Sequence, residues 1–148
     1  MATSTLIQFL DAGEAADTSN RSQNETFYAG GAIAAGDWVS LDTSQTGADK
    51  ALYVIQTTAA AGQGNVVGVA LDTAAAGAQV RVTIAGYVAS ANVVNGTAAG
   101  ASLTTSGATA GRALTYATGT HTGTGPCGLA LTAAGASNTA ETWVFKRF

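Results

Sequence analysis

Gln79-Val80-Arg81-Val82-Thr83-Ile84 alternates polar and apolar side chains with a period of two. That is the pattern of a strand with one buried face. Upstream, Val66-Val67-Gly68-Val69-Ala70-Leu71 is a continuous apolar run, and Leu52-Tyr53-Val54-Ile55 and Trp38-Val39-Ser40-Leu41 are rich in β-branched and aromatic residues. Downstream come Tyr87-Val88 and Val93-Val94, then Asn95-Gly96, a strong tight-turn signal. Thr142-Trp143-Val144-Phe145-Lys146-Arg147-Phe148 reads as a closing strand. Alanine clusters at 59–61 and 74–76 favour helix by propensity, but Gly62, Gly64 and Gly77 beside them limit each to one helical turn. Short strands punctuated by glycine predict an all-β protein, with a small β-barrel or β-sandwich body.

The chain also echoes itself. Gly36-Asp37-Trp38-Val39-Ser40-Leu41, Ala51-Leu52-Tyr53 and Gly68-Val69-Ala70-Leu71 are followed by Gly100-Ala101-Ser102-Leu103, Ala113-Leu114-Thr115-Tyr116 and Gly128-Leu129-Ala130-Leu131. Each series leads to an Ala-Gly pair, Ala76-Gly77 or Ala134-Gly135, and a valine-containing strand near Val80 or Val144. The spacing drifts from about 64 to about 58 residues, within the range of loop-length change. Two copies predict a duplicated β-unit, since a solenoid needs at least three stacked repeats.

The 148 residues include only 10% charged side chains, 19 glycines and one cysteine. Bulky aliphatic residues are sparse, but the net charge is only -3, so the composition predicts a folded domain with a small-residue core. Six Lys and Arg, with a pI near 4.7, provide no basic stripe for nucleic acid. No apolar run approaches the ~20 residues of a membrane span. The start Met-Ala-Thr-Ser-Thr lacks the basic region of a signal peptide. The charges are uneven: seven acids lie between Asp11 and Asp49, whereas Ala51 to Ala140 carries only Asp72, Arg81 and Arg112. Such a neutral stretch suits contact with other protein. Residues 1–30 read as an extended N-terminal arm, with the apolar Leu6, Ile7, Phe9 and Leu10, a polar acidic link, then Phe27 and Tyr28. Residues 31–148 form the body, with possible sub-units 31–88 and 89–148.

No catalytic set emerges, and the expectation is a protein that is not an enzyme and uses no metal or cofactor. His121 is the single histidine, and residues 73–140 hold no carboxylate to orient it. Cys127 has no basic neighbour to hold a thiolate and reads as a buried small hydrophobe. Asp11, Glu14 and Asp17 lack the ligand spacing of a calcium loop. The glycines of Gly62-Gln63-Gly64-Asn65-Val66-Val67-Gly68 miss the dinucleotide fingerprint and precede a strand, so the stretch is a turn. At the C-terminus, Trp143, Phe145 and Arg147 would share one strand face, with Val144, Lys146 and Phe148 on the other.

The stretch from Gly68-Val69-Ala70-Leu71-Asp72-Thr73 through Ala76-Gly77-Ala78 to Gln79-Val80-Arg81-Val82-Thr83-Ile84-Ala85-Gly86-Tyr87-Val88 resembles the signature of the small capsid decoration, or cement, proteins of tailed phages. Ala35-Gly36-Asp37-Trp38-Val39 supplies the Gly-Asp-hydrophobic start of that pattern, and the second echo resembles it too. It departs where Thr139-Ala140-Glu141-Thr142 replaces the Gly-x-x-Val approach to the last strand. The resemblance implies a structural virion protein, commonly trimeric, on the outer capsid surface. It would bridge neighbouring capsomers, with the major capsid protein and its own copies as partners. The arm residues Leu6, Ile7, Phe9, Leu10, Phe27 and Tyr28 would then contact shell or neighbour, and Trp143, Phe145 and Phe148 a second subunit. The alternative is a carbohydrate- or surface-binding β-module of a phage fibre or adhesion protein, with Tyr53, Tyr87, Tyr116 and Trp38 as candidate platform residues.

Overall fold

Glycine-bounded runs of valine, threonine and alanine form nine strands in the structure, a computed structural model describing residues 22–58, 63–121 and 125–147. They are β1 (Gln23–Ala29), β2 (Trp38–Leu41), β3 (Tyr53–Gln56), β4 (Val66–Ala70), β5 (Gln79–Asn92), β6 (Ser102–Thr105), β7 (Ala113–Thr115), β8 (Gly128–Ala130) and β9 (Thr139–Val144). A 3₁₀ turn at Gly47–Ala51 precedes β3. The Ala74–Ala76 cluster is not helical: Ala74 bridges to Ile33, and the chain turns at Gly77. The cluster at 59–61 lies outside the described residues.

The strands run in the order β1-β3-β2-β4-β5, and β1 pairs back onto β5, closing a five-stranded barrel. All its pairings are antiparallel except β1 with β3, which places Tyr28 beside Tyr53 and Ala29 beside Val54. Residues 23–29, assigned from sequence to the arm, are thus a barrel strand facing Gln79 to Ala85 of β5. The reason is reach: β1 is the strand that joins both free edges of the sheet.

The remaining strands repeat the arrangement. β5 pairs with β9, β9 with β8, β8 with β6 and β6 with β7, all antiparallel. A parallel bridge from Val93 to Ala113 then returns to the end of β5. Backbone hydrogen bonds match across the copies. Gly36 N–H donates to Ala70 as Gly100 does to Ala130, and Leu71 N–H donates to Arg81 as Leu131 does to Glu141, all at 2.8 Å. Ala74 N–H donates to Ile33 at 2.9 Å as Ala134 does to Thr97 at 2.8 Å. The duplicated unit expected from sequence is therefore present, with one shift: the parallel pairings equate Val54, not Ala51, with Ala113. The Ala-Leu dipeptide at 51–52 matched by composition, but Leu52 precedes the strand.

β5 belongs to both units, so a boundary at 88/89 falls inside one continuous element. The two runs read as separate strands, Gln79–Ile84 and Tyr87–Val88, are this single strand of 14 residues. Gly86, with φ 100°, sits where it passes between cores. A side chain would strain that conformation. Val80, Val82 and Ile84 before it join Ala29, Ile33, Val39, Val54, Val67 and Ala70 in the first core. Val88 and Ala91 after it join Val93, Leu103, Ala113, Cys127, Ala130 and Val144 in the second. Trp38, Val66 and Val69 from the first unit complete that second core. β9 starts at Thr139 and ends at Val144, so Phe145 to Arg147 are not in the strand that their alternation predicted.

Candidate interaction surface

Strand alternation on β1 turns Phe27 toward the first core and leaves Tyr28 39% exposed. Because β1 and β3 are parallel and in register, the Tyr28 ring stacks on Tyr53, with centroids 5.4 Å apart and planes at 29°. Leu52, immediately before β3, is 48% exposed. The stacked pair and Leu52 expose apolar surface on the outside of the first barrel, at the end of β1 farthest from Ser22. Isolated exposed apolar residues are ordinary, but a clustered aromatic pair beside a leucine has the composition of a contact patch.

A cavity of about 320 Å³ opens between strands of the same barrel, with Phe27, Leu41, Val67, Ile84 and Ala51 among its lining residues. Glu25, Lys146 and Arg147 supply charge there. The Lys146 ammonium donates to Gln23 Oε1 at 3.1 Å. The Arg147 guanidinium donates to the carbonyls of Gln63, Gly64 and Gly125, tying the C-terminal segment over the β3–β4 connection. Ser22 Oγ donates to the Tyr87 carbonyl at 2.7 Å, which fixes where the N-terminal segment meets the body.

Between the two units lies a buried polar cluster that sequence reading missed. Asp37 is 3% exposed. One carboxylate oxygen accepts from Ala34 N–H at 2.8 Å and Gln56 Nε2 at 2.9 Å, the other from Asn92 Nδ2 at 2.8 Å. Trp38 N–H donates to Gly111, and Gly111 N–H donates to Thr57, so the 106–112 loop docks against the same place. The Gly-Asp step before a strand was the available signal; its partners lie 19 and 55 positions away and carry none. These bonds position the units.

The Cys127 thiol is buried in the second core and donates to the Leu103 carbonyl, and burial pushes its pKa up to about 12. His121 Nδ1 accepts from Ala117 N–H at 2.9 Å, and its ring lies 5.7 Å from that of Tyr116. Among the described residues, no group of three His, Cys, Asp or Glu is placed to hold a metal ion. No described helix is long and apolar enough to cross a membrane.

The chain matches no protein-family model and no curated protein sequence at a significant level.

Of the residues singled out from sequence, Phe27 and Tyr28 thus lie on β1, one facing in and the other out. Trp143 is half-buried in the sheet, opposite Tyr87 on one side and Leu129 on the other, and Phe145 is half-buried just beyond. Neither joins the Tyr28 edge by strand pairing. Trp38 is fully buried, which removes it from any surface platform. Leu6, Ile7, Phe9, Leu10 and Phe148, and the acids Asp11, Glu14 and Asp17, lie outside the described residues.

Proposed function

We propose that this protein is a structural decoration protein of a tailed-phage capsid, binding the outer shell surface as a homotrimer and cementing neighbouring capsomers formed by the major capsid protein. The observation carrying this reading is the exposed, stacked Tyr28–Tyr53 pair, with exposed Leu52 next to it in the chain, at one end of β1, while Ser22 anchors the N-terminal segment at the other end. A cement protein needs no reaction, only a stiff body with an apolar contact and a segment able to reach a neighbour. Binding the assembled shell and not its separated subunits stabilises the shell by linkage, multiplied over many lattice sites. The stretch that resembles the decoration proteins falls on β4, the following turn and β5, the strand both units share.

The test is co-sedimentation of the purified protein with undecorated shells, followed by mild denaturant. Bound protein and shells that resist disruption support the proposal; absence from particles and from the shell pellet overturns it. The double variant Tyr28→Ser with Leu52→Ser should fold and bind at least tenfold more weakly, about 1.4 kcal/mol. The alternative, a carbohydrate-binding module, needs aromatic faces open to a sugar. Tyr28 and Tyr53 instead turn faces toward each other, which disfavours it. A glycan array with binding in the absence of shell binding would establish that alternative.

A further inference from the structure

We infer that the cavity of the first barrel is a docking site for the protein's own Leu6-Ile7-Gln8-Phe9-Leu10 segment, bound within the same chain. The site has apolar walls at Phe27, Leu41, Val67 and Ile84, and Lys146 and Arg147 together with Glu25 supply its charge. The segment has a matching order: five residues with four apolar side chains, followed by Asp11, Glu14 and Asp17, with Arg21 the single cation before Ser22. Apolar side chains therefore meet apolar walls, and an acidic link meets the two C-terminal cations. A cavity of about 320 Å³ has room for two or three such side chains but not for a folded domain.

Chain length favours binding in cis. Ser22 is held at the Tyr87 carbonyl, and Gln23 accepts from Lys146, so the segment departs beside the cavity. Eleven residues separate Leu10 from Ser22 and can span roughly 40 Å when extended, ample to turn back. Closing a loop of that length is a modest entropic cost, and its effective concentration is on the order of millimolar. A second copy would have to exceed that concentration to compete. The inference does not depend on the capsid reading; if both hold, the segment is stored on the barrel until the shell displaces it.

A nitroxide on the full-length Gln8→Cys chain tests this, because Cys127 is buried and the new thiol labels selectively. Methyl signals of Leu41, Val67 and Ile84 should lose most of their intensity, while those of Val93 and Leu103 in the other core keep theirs. Adding Phe9→Asp should restore the lost signals with the Leu103 spectrum unchanged. In a mixture of nitroxide-bearing chains without isotope and isotope-labelled chains without nitroxide, the loss should vanish. Equal or absent broadening at both cores overturns the inference. Broadening that persists in the mixture overturns it in favour of a second copy. Shell binding is not part of this readout, so the two proposals fail separately.

Discussion

The Trp38 ring lies directly over Gly128: a β-carbon at that glycine would sit 2.8 Å from Trp38 Cη2 and 2.8 Å from the Trp143 carbonyl. Trp38 comes from β2 of the first unit and Gly128 from β8 of the second, so this contact locks one unit onto the other. The indole Nε1–H has no acceptor among the described residues, so packing alone holds the ring. Unit one supplies the tryptophan, unit two the space for it.

Gly128→Ala should therefore destabilise the protein by about 1–3 kcal/mol, the usual cost of overpacking a filled core. A urea titration followed by tryptophan fluorescence reads this as a lower midpoint. Wild-type stability in the variant would mean that the units tolerate separation at this seam.

Asp37→Ala removes the acceptor of Gln56, Asn92 and the Ala34 amide at once. Buried donors without partners cost roughly 1–3 kcal/mol each, so a loss of about 2 kcal/mol or more is expected. Arg81→Ala serves as contrast. Its bidentate pair with Asp72 is exposed and screened by solvent, so its loss should change stability far less. Equal effects from the two substitutions would contradict the structural weight given to the cluster.

Acid sensitivity has a defined direction. The Ser44 side chain, then Gln45, holds the Asp42 carboxyl below the usual 3.8 by hydrogen bonding to it, against the opposing effect of burial. Asp72 is lowered too, chiefly by the Arg81 hydrogen bond. A depressed folded-state pKa contributes stability that is present above the unfolded value and disappears as pH falls through the folded one. Stability should decline below about pH 4. Carboxyl NMR titration should place Asp42 below 3.8 in the wild type and higher in Ser44→Ala. An unchanged Asp42 titration in that variant would remove the Ser44 hydroxyl as the cause.

The Cys127 thiol should resist aromatic disulfide reagents at pH 8 and react only as fast as the second core opens. Two causes act together: it is 2% exposed, and burial holds its pKa near 12. Addition of urea should accelerate labelling in step with unfolding. Stoichiometric labelling within seconds in native buffer would show that the second unit is open.

Much of the fold was legible locally. The alternation from Gln79 to Ile84 identified β5, and the paired Ser-Leu steps at 40–41 and 102–103 and Gly-x-Ala-Leu units at 68–71 and 128–131 revealed the duplication, because both depend on side-chain order within a few residues. The reading stopped where those signals did. It cut β5 at Gly86, since a glycine ends a local pattern even when the strand continues. It carried the last strand past Val144, because side-chain alternation persists beyond the end of β9. It assigned Phe27 and Tyr28 to an arm, since nothing near them announces β5 as their partner.

The candidate surface followed the same division. Tyr28 and Tyr53 were each visible as aromatics, but only the parallel β1–β3 register stacks them. The Asp37 cluster gathers residues from three strand ends and was invisible to spacing. The sequence alone established an all-β protein of two similar, small-residue units. Tertiary structure alone decided that β5 serves both units, that Trp38 seals the second core, and which apolar side chains face solvent. The physical reason is that strand propensity and alternation are set by neighbours in the chain. Pairing partner, register and burial are set by which distant strands close the barrel, and that choice minimises exposed apolar surface and unpaired backbone groups over the whole molecule.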